Sequence, residues 1–295
     1  MTQDTGMRKL PENLFGYEVL AFLGEGAASY IYAVSDPASK QIYALKHVLR
    51  KTDKDDRFIE QLEAEYEVGR HVRHPALRKS IALKYQRTLL RRVTEAALIM
   101  ELVDGKSLEQ HMARTLKGLL DVFIQTADAL HAMHEAGFVH CDLKPNNILV
   151  DSAGKVKVID LGQAVKSGTV KERIQGTPDF IAPEQVTRDP VTPRTDVFNF
   201  GATLYWALAG KNLPTLFTAG RRANSFVLDD AIETPRQANP SIPEPLSNLV
   251  MECVRSNVNK RPESMAVVQR RLEIIHHGLT KSSTLRRPDD SFVTA

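Results

Sequence analysis

Two short apolar segments, each flanked by oxygen-bearing side chains, constrain the fold of this chain more than any other part of its sequence. In the stretch 139–150, Asp142 and Asn147 come just before an apolar run. In the stretch 156–162, a second apolar run ends in Asp160. Mg²⁺ prefers oxygen ligands and usually keeps substrate phosphates among them. The sequence therefore predicts two neighbouring short strands whose ends share a magnesium site.

Both segments resemble motifs of protein kinases. The first is similar to the catalytic loop His-Arg-Asp-Leu-x-x-x-x-Asn, and the second is similar to Asp-Phe-Gly, with Leu161 in place of Phe. Either pattern alone also fits a cap or a turn. Their order along the chain favours the kinase interpretation, and the resemblance covers residues 15–277. It implies Mg²⁺-dependent transfer of the γ-phosphate of ATP to a protein hydroxyl.

Composition is that of an ordinary soluble globular protein, with 42% hydrophobic and 25% charged residues among 295. A net charge of +3 with scattered arginine pairs does not indicate a nucleic-acid-binding surface. Cys141 and Cys253 form no metal-binding or disulfide pattern, which fits a reducing compartment. No signal peptide or membrane segment is visible. We therefore expect a cytoplasmic protein; the sequence sets no oligomeric state.

A glycine-rich turn and a lysine mark the N-terminal part. Gly24 and Gly26 can bring backbone amides close to phosphate oxygens. The segment resembles the kinase motif G-x-G-x-x-G-x-V, with Ser29 at the third glycine and Ile31 at the valine, although the glycines alone also fit a plain hairpin. Lys46 lies inside a later apolar strand that resembles Val-Ala-Ile-Lys. By this resemblance, Lys46 contacts the α- and β-phosphates of ATP.

A helix predicted over residues 58–71 carries the expected partner of that lysine. Glu65 lies on the same face as Leu62, and a buried carboxylate needs a cation. We therefore expect Glu65 to pair with Lys46, as in the kinase Lys–Glu pair. One helical turn later, where kinases carry a bulky apolar residue, this chain has Gly69. Because glycine weakens a helix interior by about 1 kcal/mol, we expect a less secure placement of this helix.

The strand at 96–103 resembles the hinge between the kinase lobes. It would place Met100 at the gatekeeper position and the backbone of Glu101 and Val103 at the adenine edge. For ATP as a whole, the resemblance implies contacts with Gly24, Glu25, Gly26, Ser29, Ile31, Ala44, Lys46, Met100, Glu101, Val103 and Leu149.

The catalytic loop carries the roles that the resemblance implies. Asp142 would accept or orient the proton of the acceptor hydroxyl, and Lys144 would neutralise charge on the transferring group. Asn147 and Asp160 would hold Mg²⁺. Lys144, together with Thr177, is typical of serine/threonine rather than tyrosine kinases.

Three further positions follow from the same resemblance. The segment 160–184 resembles an activation segment and ends in Ala-Pro-Glu. Asp196 is expected to be buried and to brace the catalytic loop, although a carboxylate in the first turn of a helix is also common for other reasons. Arg261 is expected to pair with Glu184.

We expect an α+β fold of the bilobal protein-kinase type. A small β-rich N-lobe would contain one main helix, and a larger C-lobe would be helical. The expected limits are a flexible lead at 1–14, the N-lobe at 15–103, the C-lobe at 104–278 and a flexible polar tail at 279–295.

Cys141 replaces the arginine that precedes the catalytic aspartate in most kinases. That arginine normally pairs with a phosphorylated residue, so a phosphate on Ser167, Thr169 or Thr177 has one fewer cation to bind. We therefore expect activity that does not depend on loop phosphorylation through this contact. Two alternatives remain open. Cys141 and Gly69 leave room for a pseudokinase scaffold, although the retained catalytic set argues against it. A small-molecule phosphotransferase is disfavoured by the segment that ends in Ala-Pro-Glu.

Overall fold

Alternating apolar residues and short turns build the first of two units in the computed structural model of this chain. The structure describes residues 10–26, 28–218, 229 and 232–283. The first unit contains the described residues up to Arg70 together with Lys79–Val103. The second contains His71–Arg78 and the described residues from Asp104 onward.

The first unit is a six-stranded antiparallel sheet with one long helix, α1 (Asp56–His71). Its spatial order is β1-β2-β3-β4-β6-β5. The strands are β1 (Asn13–Leu14), β2 (Tyr17–Gly26), β3 (Ser29–Ser35), β4 (Ile42–Leu49), β5 (Ser80–Arg87) and β6 (Val93–Glu101).

Strand β6 is apolar on both faces because both faces are covered. Leu98 and Met100 lie in a buried cluster with Leu62 of α1. The alternate residues Ala97 and Ile99 belong to a second buried cluster. Successive side chains of a strand point to opposite faces, so an unbroken apolar run fits a strand that is buried on both sides.

Gly69 allows α1 and β5 to approach closely. A Cβ atom at this position would lie 2.2 Å from Oγ of Ser80 and 2.9 Å from its Cβ. The Ser80 hydroxyl also donates a hydrogen bond of 3.2 Å to the backbone oxygen of Glu65. The glycine therefore has a packing role that sequence analysis missed: a small residue is what lets Ser80 bond to the helix.

We expect Gly69→Ala to destabilise the protein by roughly 1–3 kcal/mol, because the added methyl group must displace Ser80. Gly278→Ala is the matched control, since it lies in a helix and an added Cβ would meet no atom within 4 Å. That change should be neutral or stabilising by up to about 1 kcal/mol. The urea unfolding midpoints of both variants measure these stability changes. A Gly69→Ala variant that is more stable than the wild type would contradict the packing role.

The second unit is mainly helical, with short strands around its loops. Its helices are α2 (Leu116–Glu135), α3 (Pro183–Thr187), α4 (Pro193–Ala209), α5 (Pro235–Ala238), α6 (Glu244–Cys253) and α7 (Met265–Ser283). Its strands are β7 (Lys106–Ser107), β8 (Phe138–Val139), β9 (Ile148–Val150), β10 (Val156–Val158) and β11 (Val165–Lys166). Strand β9 pairs with β10 and β7, and β8 pairs with β11.

Helix α4 is central to the second unit. It is apolar around most of its circumference, and Val197, Phe200 and Leu204 are all buried. Phe200 meets Phe123 of α2 edge to face, with ring centroids 5.3 Å apart. A helix that is hydrophobic on all sides belongs in a core, and this one supports the loops that carry the candidate catalytic residues.

The fold class predicted from the sequence is confirmed: one unit is β-rich with one main helix, and the other is helical. The last helix differs from expectation. It begins at Met265 rather than at Lys260, and it continues through Ser283 instead of ending near His277. Gly278 takes helical geometry, and no proline follows it before Pro288, so nothing stops the helix there.

Parts of the predicted lead and tail, residues 1–9 and 284–295, lie outside the described residues. Among the helices that the structure describes, none combines the length and the apolar character needed to cross a bilayer.

Candidate active site

Lys46 and Glu65 form an ion pair within the first unit. The Nζ atom of Lys46 lies 2.7 Å from Oε2 of Glu65, whose side chain is only 2% exposed. Lys46 lies in the middle of β4, paired with Ile31 on one side and Leu98 on the other. The predicted pairing is thus confirmed. Glu63, by contrast, lies on the exposed side and accepts a hydrogen bond from Tyr85.

The glycine-rich segment forms the tip of the β2–β3 hairpin. Gly24 pairs with Ile31, and Gly26 pairs with Ser29. The residue between the strands at position 27 lies outside the described residues. Glu25 is in the same strand, so the backbone of this tip fits the predicted phosphate-binding turn. Its role toward a nucleotide stays a prediction.

The predicted hinge residues lie at the end of β6 and just beyond it. Met100 is 1% exposed, and its partner across the sheet is Ala44. The amide of Glu101 donates to the backbone oxygen of Lys79 at 2.9 Å. Val103 is the last residue of the first unit. The adenine contacts assigned to these positions remain predictions.

In the second unit, Asp142 is held by a cation and a hydroxyl. The Thr177 hydroxyl donates to Oδ1 of Asp142 at 2.8 Å, and Nζ of Lys144 donates to Oδ2 at 3.1 Å. Lys144 also donates to the Thr177 hydroxyl oxygen at 2.9 Å. These three contacts fix the direction of the carboxylate. Such a carboxylate can orient a hydroxyl and accept its proton.

Asn147 and Asp160 come to the same end of a β-ribbon. Strands β9 and β10 are antiparallel, with Val158 opposite Ile148, so the residue before β9 lies beside the end of β10. The amide of Ile159 donates to the backbone oxygen of Asn147 at 2.9 Å, which confirms this neighbourhood. Leu149, a predicted nucleotide contact, lies in β9 itself.

The donor atoms at this end of the ribbon fit Mg²⁺. The side-chain NH₂ of Asn147 donates to the backbone oxygen of Asp142 at 2.8 Å, so Oδ1 is the atom left to meet a cation. Asp160 adopts a left-handed backbone, with φ of 61°, which aspartate tolerates better than most residues. An amide oxygen and a carboxylate suit a hard cation whose other ligands are phosphates and water.

Asp196 binds the catalytic loop through the backbone. Its fully buried carboxylate accepts hydrogen bonds from the amides of His140 and Cys141, each at 2.8 Å. It also accepts one of 2.8 Å from the ring of His134. Burial opposes ionisation of Asp196, but the bonds from His134 and Cys141 outweigh it, so its pKa lies below the ordinary value. The prediction that Asp196 is buried and braces the catalytic loop is therefore confirmed.

A second buried pair joins distant parts of the second unit. Arg261 donates to both carboxylate oxygens of Glu184, at 2.7 and 2.9 Å. It also donates to the backbone oxygens of Arg255, Arg194 and Ser256. The predicted pairing of Arg261 with Glu184 is therefore confirmed, and all five N–H groups of the guanidinium have acceptors.

Sequence analysis missed two side chains that shape the loop. His134 lies in the last turn of α2, and no motif marks it. Gln185 directly follows the Ala-Pro-Glu motif, and its NH₂ donates to the backbone oxygens of Cys141 at 2.8 Å and Gln175 at 3.1 Å. Both residues act through contacts between distant segments. The one available signal was the position of Gln185 directly after a recognised motif.

Comparisons with known proteins agree with this geometry. Residues 17–272 match the model of the protein kinase domain. The serine/threonine-protein kinase PknA of Mycobacterium tuberculosis is 30% identical over 242 residues, which are 79% of this chain and 55% of that protein. A serine/threonine-protein kinase of Arabidopsis thaliana is 30% identical over 277 residues, 88% of this chain and 54% of that protein.

The serine/threonine-protein kinase PrkC of Bacillus subtilis is 26% identical over 259 residues, which cover 84% of this chain and 38% of that protein. The chain thus spans about half, or less, of the length of these relatives.

Proposed function

The chain belongs to the protein kinase family, and from this premise we propose that it is a serine/threonine kinase that transfers the γ-phosphate of ATP to protein hydroxyls. The arrangement of Asp142, Lys144 and Thr177 is the observation that carries the proposal. A scaffold that only binds partners has no need of a carboxylate held by both a cation and a hydroxyl.

In the proposed reaction, the acceptor oxygen forms a bond to the γ-phosphorus while the bond from that phosphorus to the bridging oxygen of ADP breaks. Asp142 orients the acceptor hydroxyl and takes its proton. Lys144 offsets negative charge on the transferring group. Most of the rate enhancement in such chemistry comes from positioning and electrostatics, and the hydrogen bonds around Asp142 supply the positioning.

Asn147 and Asp160 would hold Mg²⁺, which when bound neutralises phosphate charge. Lys46, fixed by Glu65 at 2.7 Å, would contact the α- and β-phosphates. The remaining nucleotide contacts would come from the glycine-rich hairpin and the end of β6. ATP and Mg²⁺ are the cofactors of this proposal.

Protein substrates would bind beside Lys144. A pocket of about 250 Å³ there is lined by residues that include Lys144, Thr177 and Trp206. Lys144, two residues after the catalytic aspartate, and the names of the relatives support serine or threonine as the acceptor. The proposal includes a cytoplasmic location and gives nucleic acid no part in the reaction.

A transfer assay with radiolabelled ATP and generic protein acceptors tests the proposal. We expect Mg²⁺-dependent labelling of serine and threonine by the wild-type chain, and almost none by Asp142→Asn, which keeps the size of the side chain but cannot accept the proton. Wild-type protein that binds ATP without labelling any acceptor would favour the pseudokinase alternative. Labelling of small molecules alone would favour the small-molecule phosphotransferase.

A further inference from the structure

Backbone hydrogen bonds hold the start of the segment 160–184 within the second unit. The amide of Ser167 donates to the backbone oxygen of Gly137 at 2.9 Å. The amide of Gly168 donates to the backbone oxygen of Val191 at 2.7 Å. Val191 in turn donates to the oxygen of Thr169 at 2.9 Å. Residues 167–169 of the segment are thus held by backbone bonds that need no modification of a side chain.

A buried lysine follows directly after these bonds. Lys171 is 8% exposed, and its Nζ donates to the backbone oxygen of Gln163 at 2.7 Å. Among the described residues, this neutral oxygen is the one acceptor that the structure gives to the ammonium group. A buried ammonium is costly unless negative charge lies near it. Asp142 and Asp196 both act on Lys171 electrostatically and provide that charge.

The lysine also shares its surroundings with Cys141. Cys141 is fully buried, and burial raises the pKa of its thiol, so the side chain carries no charge there. Burial lowers the pKa of Lys171, while the carboxylates of Asp142 and Asp196 counteract that effect. Cys141, the residue before Asp142, therefore supplies no positive charge to Asp142 and Asp196, whereas Lys171 of the segment 160–184 interacts electrostatically with both.

We propose that Lys171 is a positioning residue that fixes the segment 160–184 so that Thr177 reaches Asp142 without phosphorylation of the segment. This inference rests on the proposed kinase function. Lys171 ties its own part of the segment to Gln163, near the start of the segment, and Thr177 lies a few residues further along. Loss of the ammonium releases this tie and leaves Asp142 and Asp196 with less compensating charge.

The test compares Lys171→Met with Lys171→Arg in the full chain, after phosphatase treatment. Lys166→Met is the matched control, because Lys166 is an exposed lysine of the same segment. We expect Lys171→Met to lower kcat about 10- to 100-fold with little change in KM for ATP, as for a misplaced catalytic group. Lys171→Arg should recover most of kcat, and Lys166→Met should match the wild type.

Hydrogen exchange supplies a readout that does not need activity. Lys171→Met should speed amide exchange at residues 165–177 and leave exchange in α4 unchanged, while Lys166→Met should change neither. Lys171→Gln is measured in parallel, in case the methionine variant does not fold. If neither variant folds while Lys166→Met does, Lys171 is only a core residue and the proposal is overturned.

Two further results would overturn the inference alone. One is a Lys171→Met enzyme with wild-type kcat and exchange; the other is a wild-type enzyme that loses its activity on phosphatase treatment or in Ser167→Ala/Thr169→Ala. A wild-type chain that transfers no phosphate contradicts the proposed function instead, and the exchange experiment still tests the tie made by Lys171.

Discussion

Replacing Asp160 by alanine should lower the rate of phosphate transfer by about 10³-fold or more, since the proposed metal site would lose its carboxylate. Asp160 and Asn147 are the proposed oxygen donors at their end of the β9–β10 ribbon, and an amide oxygen alone holds Mg²⁺ weakly. Asp160→Asn should retain more activity than Asp160→Ala, because it keeps an oxygen in the same place.

Initial rates over a range of Mg²⁺ concentrations measure this effect. The loss should be partly relieved at high Mg²⁺, since a weaker site fills by mass action. Asp151→Ala is the control, because Asp151 lies in the turn at the other end of the same ribbon and accepts bonds from Ala153 and Lys155. Its rate should stay within about twofold of the wild type. An active Asp160→Ala enzyme would remove the metal site from the proposal.

The largest loss of stability is expected for Arg261→Ala. The Arg261 side chain is 0% exposed and that of Glu184 is 5% exposed, so the variant leaves a buried carboxylate without its cation. Removing one partner of a buried ion pair costs roughly 3–5 kcal/mol. The guanidinium also lies over the ring of Phe198, with its carbon 4.9 Å from the ring centroid, and that contact is lost as well.

Urea unfolding should show this as a large fall in midpoint with an unchanged slope. Arg261→Lys should recover little, since lysine cannot reproduce two parallel bonds to a carboxylate. Adding Glu184→Gln to Arg261→Ala should recover part of the stability, because no buried charge is then left alone. Arg270→Ala, on an exposed face of α7, should change the free energy of unfolding by less than about 0.5 kcal/mol. Similar midpoints for the two arginine variants would contradict the importance of the pair.

Helical spacing and motif resemblance predicted the charged pairs well. Glu65 was separated from Glu63 because only one of them shares the apolar face of α1, and the structure agrees. Asp196 and Glu184 were predicted because they stand at fixed places in recognised motifs. Such predictions succeed where a local pattern forces a side chain inward and its partner belongs to another local pattern.

Contacts that join segments without a sequence pattern of their own cannot be predicted in this way. The low helix propensity of glycine predicts that Gly69 weakens α1, whereas in the structure Gly69 makes room for Ser80 on a strand whose position the sequence does not specify. No motif marks His134 or Lys171 in the sequence, so their buried contacts become apparent only in the folded chain. The end of α7 was placed too early, because helix boundaries depend on weak local signals.

The carboxylate of Asp196 accepts hydrogen bonds from the backbone amides of His140 and Cys141 in the catalytic loop. Every amino acid except proline carries such an amide hydrogen. The backbone of Cys141 adopts a left-handed conformation, with φ of 65°, and the bond to Asp196 comes from its amide and not from its thiol. The hydrogen bonds that Asp196 makes to the loop are therefore independent of a charged side chain at position 141. Another residue that is small enough for this buried position and accepts its backbone conformation could stand before Asp142 while the amide bonds to Asp196 persist.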